Sequence, residues 1–231
     1  MSTTASAEPQ RPAPTSSIKL IGTLGLIALF SGLMVVSVVE FTRPYIAENH
    51  RIALERAVLE VIPGAWERRE FVLTDEGVFP AAEAPGPGRT IHAGFDAEGT
   101  FKGVALEASG RGYADIIRIL YGYDPACECV VGMTVLESRE TPGLGDKIET
   151  DPAFVANFER LDARLAADGS GLANRIRTVA PGAAEHPWEI DGITGATISA
   201  EAIGSMIHRS ADGLLPELAP HWAAFEQDIQ D

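Results

Sequence analysis

The 231-residue chain predicts an α+β fold: an antiparallel sheet with flanking helices, carried behind a single N-terminal transmembrane helix. Three observations lead there. Residues 20–39, LIGTLGLIALFSGLMVVSVV, carry no charge, and at about 1.5 Å per residue they span a hydrocarbon core of roughly 30 Å. Short β-rich runs then alternate with Gly-, Asp- and Pro-bearing turns, as neighbouring antiparallel strands do. Helical stretches follow the strands rather than alternate with them, so the parallel βαβ pattern is missing.

Taken in order, residues 1–17 are rich in Ser, Thr, Ala and Pro and read as a flexible tail. Residues 18–40 form the membrane helix. The run is longer than a cleavable signal's apolar core, and its exit VVSVVEFTRPY is a poor cleavage site. Arg11 and Lys19 before the span balance Arg43 and Arg51 after it, so charge leaves the orientation open. Residues 41–64 are expected to continue outward as a stalk helix, with Pro44 near the junction. Ile52, Leu54, Val58, Leu59 and Ile62 form its apolar stripe, and Pro63 and Gly64 stop it. Residues 65–231 form the folded domain, with the motif-bearing part at 90–215. REFVLTDEGVF predicts a hairpin, and PAAEAPGPG a loop. TIHAGFDAEGTFKGVALEA predicts two strands around a turn at 96–99. ADIIRILYGYD and CVVGMTVLES are two more, joined at an Asp-Pro turn. DPAFVANFERLDARLAAD reads as a helix with Phe154, Phe158 and Leu161 on one face. SAEAIGSMIHRSADGLL reads as another, with Ile203, Ile207 and Leu214 together, and a short helix follows Pro220. The helices are expected on one side of the sheet.

Composition narrows the chemistry. With 33 acidic and 18 basic residues the net charge is −15, which argues against a nucleic-acid surface. Two cysteines, Cys127 and Cys129, exclude a disulfide scaffold and any zinc or iron–sulfur site built from this chain's cysteines alone. The strain of a Cys-x-Cys bridge favours reading them as two small half-buried residues at a strand end; a redox-active pair or an intermolecular contact is the other reading. His50, His92, His186, His208 and His221 show no metal-ligand spacing, so no metal site is expected.

Three glycine-bearing stretches stand out: SGRGYADI at 109–116, ESRETPGLGDKIE at 137–149 and DGITGATISA at 191–200. In the second, Pro142-Gly143 and Leu144-Gly145 force a compact loop. That loop is either an ordinary turn or a place where backbone approaches a flat ligand, with Leu144 on its face, Thr141 and exposed amides toward heteroatoms, and Lys147 toward an anionic oxygen. In the third, a helix N-terminus presents free amides and partial positive charge. Gly195 and Ala196 leave room for a phosphate beside the Thr197 hydroxyl, although on spacing alone a plain cap by Thr197 or Ser199 is the more ordinary reading. Neither a Walker loop nor a nucleophile elbow is present.

The pattern Asp191 to Thr197, Asp-x-x-Thr-Gly-Ala-Thr, resembles the flavinylation motif of the FMN-binding domain family, and ETPGLG and GRGY occur in the same order and spacing. The N-terminal helix followed by NHRIALERAVLEVIPGA resembles in particular the G subunits of Rnf electron-transport complexes. These are related to the C subunits of the sodium-pumping NADH:quinone oxidoreductase. The resemblance implies FMN joined through its phosphate to Thr197 by a separate flavin transferase, with Asp191 and Thr194 shaping recognition or orienting the phosphate. It also implies that Glu140, Thr141, Gly143, Leu144, Gly145 and Lys147 line the ring, with Gly112 and Tyr113 completing the pocket. Thr194 stands where Ser is commoner in the family, and Ala200 where a second hydroxyl residue is frequent. The function implied is an electron carrier within a larger complex rather than a self-standing enzyme. It would relay electrons between ferredoxin- and NAD-linked partners and couple them to sodium or proton translocation. Its partners would be membrane and peripheral subunits of that complex. The N-terminus would be cytoplasmic and the flavin domain periplasmic, at a bacterial inner membrane. Two alternatives are a C-type quinone reductase subunit or other membrane flavoprotein, and a cofactor-free membrane-anchored assembly module.

Overall fold

The computed structural model describes residues 17–227, so the tail expected at 1–17 lies, apart from Ser17, outside the described residues. The chain divides into two units, Met1–His50 and Arg51–Asp231. Helix α1, Ser17–Val61, is continuous through Pro44, so the membrane and stalk segments form one helix. Its apolar run, of mean hydropathy 2.2, is long and apolar enough to cross a membrane by length and composition.

The last turns of α1 belong to the second unit. There Ala57, Val58, Val61 and Ile62 are buried with Ala105 and Leu120. Leu59, expected on the apolar stripe, is exposed instead, because the buried face is set by what the helix touches.

The second unit is built on seven antiparallel strands: β1 (Glu67–Thr74), β2 (Gly77–Pro80), β3 (Arg89–Phe95), β4 (Phe101–Arg111), β5 (Ile116–Asp124), β6 (Cys129–Glu137) and β7 (Leu161–Asp162). They lie in the order β2-β1-β3-β4-β5-β6-β7. Strand alternation sorts the faces. Val104, Leu106 and Ala108 of β4, with Ile117, Ile119, Tyr121 and Tyr123 of β5, join the main core. That core is closed by helix α4, Thr197–Leu218, through Ile203, Met206, Ile207, Leu214 and Leu215. Helix α5, Trp222–Gln227, adds Phe225, stacked on Phe101 at 5.1 Å and edge-on to Phe71 at 4.7 Å.

Ala105 and Leu120 point to the opposite face, where the end of α1 sits. Gly122 and Gly132 are cross-strand partners there, and a side chain on either would collide with the Val61 backbone. The expectation of helices on one side is therefore corrected: the sheet is covered on both faces. The close approach explains why two glycines occupy mid-strand positions.

The helix expected at 151–168 is also corrected. Helix α2, Lys147–Thr150, and helix α3, Pro152–Val155, are followed by a single 3₁₀ turn, Ala156–Phe158, and then by β7. The Asn157 amide donates to the Phe154 carbonyl at 2.9 Å, satisfying a helix-end acceptor, and Leu161 pairs with Val130 instead of continuing a helix. Phe154, Phe158 and Leu161 are still buried. Two short parallel strands that no periodicity announced, β8 (Arg177–Val179) and β9 (Glu189–Asp191), form a second sheet. Cys127 and Cys129 are joined as a disulfide, against the reading of two unpaired residues; Glu128 between them adopts φ 53°, which lets the chain turn back.

Candidate functional site

The site begins with the backbone of TGAT. Gly195 adopts φ +86°, a left-handed conformation that costs a residue with a Cβ about 1–2 kcal/mol. The Ala196 amide closes the turn on the Ile193 carbonyl at 3.1 Å. The first helical bond of α4 runs from the Ala200 amide to Ala196 at 2.9 Å. Ala196 is therefore the N-cap, and no side chain caps the helix. The plain-cap reading of Thr197 and Ser199 does not hold. Thr197 is the first helical residue, exposed, with a hydroxyl that has no partner among the described residues. The amides of Thr197, Ile198 and Ser199 have no acceptor within the helix, whose first bond is donated by Ala200, so the mouth of α4 offers open donors and partial positive charge.

The ETPGLG loop closes on itself. The Leu144 and Gly145 amides both donate to the Thr141 carbonyl, at 3.1 and 3.0 Å. Those two amides are spent within the loop, and Gly143, at φ +78°, forms its open tip. Leu144 is half exposed and leans toward Gly195; its Cδ2 lies 3.7 Å from where a Cβ there would stand.

Glu140 gathers the three stretches. It is buried, yet Oε1 accepts from the Ala114 amide at 3.0 Å, and Oε2 accepts from the Ser199 hydroxyl at 2.6 Å. A Cβ on Gly112 or on Gly145 would run into this carboxylate, so both glycines make room for it. Around it opens a cleft of about 370 Å³ lined by Tyr113, Glu140, Thr141, Leu144, Gly145, Gly195, Ala196, Thr197, Ile198 and Ser199. Eight residues of the sequence-based set thus meet at one cleft. Gly112 lies buried beneath it and Gly143 at its margin. Ile198 and Ser199 had no assigned role at the ligand; their signal was position alone, one and two residues after Thr197.

Lys147, Asp191 and Thr194 lie elsewhere, around a neighbouring depression with Asp151 and Pro181. The Asp191 carboxylate accepts from the Ala184 amide at 3.0 Å, and its backbone amide donates to the Asn157 side chain at 2.9 Å. β9 is anchored beside it by Glu189, which accepts from the Glu185 and His186 amides and pairs with Arg177. The Glu185 amide first, then Arg177, hold the Glu189 carboxyl at about 2, well below its ordinary value. Asp191 therefore positions the strand that delivers the TGAT turn.

The cleft contains what an FMN needs: an unpartnered hydroxyl at an open helix mouth for the phosphate, and a glycine-floored wall with an apolar rim for a flat ring. Residues 112–212, which contain all the cleft residues, match the FMN-binding domain family. Two solved structures share the fold. One is the C subunit of a Na(+)-translocating NADH-quinone reductase from Parabacteroides distasonis, with TM-score 0.59 and 20% identity, covering 76% of this chain and 96% of that one. The other is NqrC of Shewanella oneidensis, with TM-score 0.53 and 18% identity, covering 79% and 99%. Among characterised sequences, the G subunit of the ion-translocating oxidoreductase complex of Cereibacter sphaeroides (strain ATCC 17029) is 32% identical, over 80% of this chain and 78% of its own. The corresponding G subunit of Pseudomonas aeruginosa (strain UCBPP-PA14) is 30% identical, over 81% and 83%. Similarity at that level along most of both chains, with an FMN-binding match spanning the cleft, means that the chain belongs to the family of G subunits of ion-translocating oxidoreductase complexes.

Proposed function

We propose that this chain is the membrane-anchored flavoprotein component of an Rnf-type complex, carrying FMN covalently on Thr197. Through it, electrons pass between ferredoxin- and NAD-linked partners in a complex that drives sodium or proton translocation. The observation that carries the proposal is the convergence of Glu140, Ser199 and the Ala114 amide at a cleft whose mouth holds the free Thr197 hydroxyl.

When bound, FMN supplies exchange of electrons in pairs or singly, which joins hydride carriers to one-electron centres. The chain's own residues do the rest. Thr197 Oγ1 would be the nucleophile toward the FMN-side phosphorus of FAD on a flavin transferase, exchanging its proton for a Thr–O–P bond with AMP as the leaving group. The small Gly195 and Ala196 leave that approach open, and the amides at the mouth of α4 hold the phosphate. Leu144 and Tyr113 line the cleft where they would pack against the ring. Helix α1 keeps the domain at the bacterial inner membrane, with the N-terminus cytoplasmic and the flavin domain periplasmic. The role is that of a carrier, with no substrate chemistry of its own.

The test is in-gel fluorescence of the denatured full-length protein after co-expression with a flavin transferase. Wild type fluoresces, Thr197→Ala is dark and Thr194→Ala retains the signal. A dark wild type returns the chain to a cofactor-free assembly module. Loss in Thr194→Ala with retention in Thr197→Ala moves the attachment point.

A further inference from the structure

We propose that the Glu140 carboxylate lowers the reduction potential of the flavin in this cleft, and that the Ser199 hydroxyl, which donates to it, tempers its charge; this rests on the FMN reading above.

Among the buried polar residues His92, Glu140, Glu189 and Ser199, only Glu140 brings an acidic group to the cleft wall. Both of its hydrogen-bond partners are donors, the Ala114 amide and the Ser199 hydroxyl, as suits a carboxylate that can only accept. Among the described residues no lysine or arginine lines the cleft, and Lys147, the cation nearest in sequence on the C-terminal side of the loop, faces the neighbouring depression instead. The partial positive charge at the mouth of α4 is met by the phosphate. The Glu140 carboxylate therefore has hydrogen-bond donors but no cationic partner at the cleft wall, and its own burial leaves its charge less screened than one in open water.

Each electron that enters the ring adds one negative charge until a proton follows. A fixed carboxylate opposes that gain and makes the flavin harder to reduce. Two glycines, Gly112 and Gly145, make room for this side chain, and both groups facing its oxygens donate, as a carboxylate requires. An apolar or amide side chain would fill the same space without the charge.

The experiment is a spectroscopic redox titration of the full-length, flavin-loaded protein, with dithionite supplying the electrons and buffer the protons. Loading is read separately by in-gel fluorescence. Glu140→Gln is expected to load and to titrate at a more positive potential than wild type. Glu140→Asp, which keeps the charge, stays nearer to wild type. Ser199→Ala removes the hydroxyl dipole that screens the carboxylate and shifts the potential the other way, to more negative values. An unchanged or more negative potential in Glu140→Gln overturns the inference, as do equal shifts in the Gln and Asp variants. If Glu140→Gln does not load, Ser199→Ala decides: an unchanged or more positive potential overturns the inference. A wild type without flavin overturns the FMN reading itself, which separates the two failures.

Discussion

The Ser199 hydroxyl donates to the buried Glu140 carboxylate at 2.6 Å, across 59 positions of sequence. The bond links the first turn of α4 to the loop after β6, and Glu140 extends the link to Ala114 after β4. One side chain thus fixes the relative positions of Thr197, the loop at 140–145 and Tyr113 around one cleft.

Loss of that bond has a stability cost separate from any effect on the flavin. Ser199→Ala leaves a buried carboxylate short of one donor, a change of about 1.5–3 kcal/mol. Thermal unfolding of the detergent-solubilised full-length protein before flavin loading should show the lowered melting temperature.

Gly204 on α4 faces β8 so closely that a Cβ would stand 2.5 Å from Thr178 Oγ1 and 3.2 Å from the Thr178 amide. The Thr178 hydroxyl also donates to the Ala200 carbonyl at 2.9 Å, locking helix and strand together. Gly204→Val should cost about 1–3 kcal/mol by overpacking. The same unfolding measurement checks it, with in-gel fluorescence falling if the first turn of α4 is displaced.

Glu189 predicts an acid limb. Its folded-state value, lowered to about 2 from 4.5, means that its stabilisation is complete above pH 4.5 and is lost as pH falls through about 2. Glu189→Gln should lower the melting temperature at pH 7 and flatten its decline between pH 4.5 and 2. Melting curves of both proteins across that range test the sign.

The Cys127–Cys129 disulfide closes a loop with a sequence separation of two, so chain entropy assigns it only about 1.5 kcal/mol. Intact mass under non-reducing conditions should be two hydrogens below the reduced mass. A Cys127→Ser/Cys129→Ser double variant should fold with a modest loss of stability. A variant that does not fold would contradict the small-loop argument.

Much of this architecture was legible in the chain. The hairpins announced themselves through Thr74–Gly77 and Asp96–Gly99, where local turn chemistry is enough. α4 could be placed because Ile203, Ile207 and Leu214 recur at helical spacing, although it starts at Thr197, two residues before the stretch from Ser199 that the sequence suggested. The segment after Pro152 was misread for the complementary reason. Its apolar spacing suits a helix, but Asn157 and the open edge of β6 compete for the same backbone, and neither competitor shows in a local window. The disulfide was misjudged because the conformation of Glu128 that permits it is a property of the β5–β6 turn, not of the Cys-x-Cys spacing.

What the sequence determined by itself was local: an apolar helix of membrane length, the first six strands in their order along the chain, and a threonine at the mouth of a helix behind a glycine. Only the tertiary structure decided which residues share a cleft. It set Glu140, Ser199 and Ala114 together while turning Lys147, Asp191 and Thr194 to the other side of the TGAT turn. It also laid the end of α1 over Gly122 and Gly132. The physical reason is range. Turns and helix starts depend on backbone conformation within a few residues, whereas a buried carboxylate finds its donors only after the sheet has brought distant segments within hydrogen-bond distance.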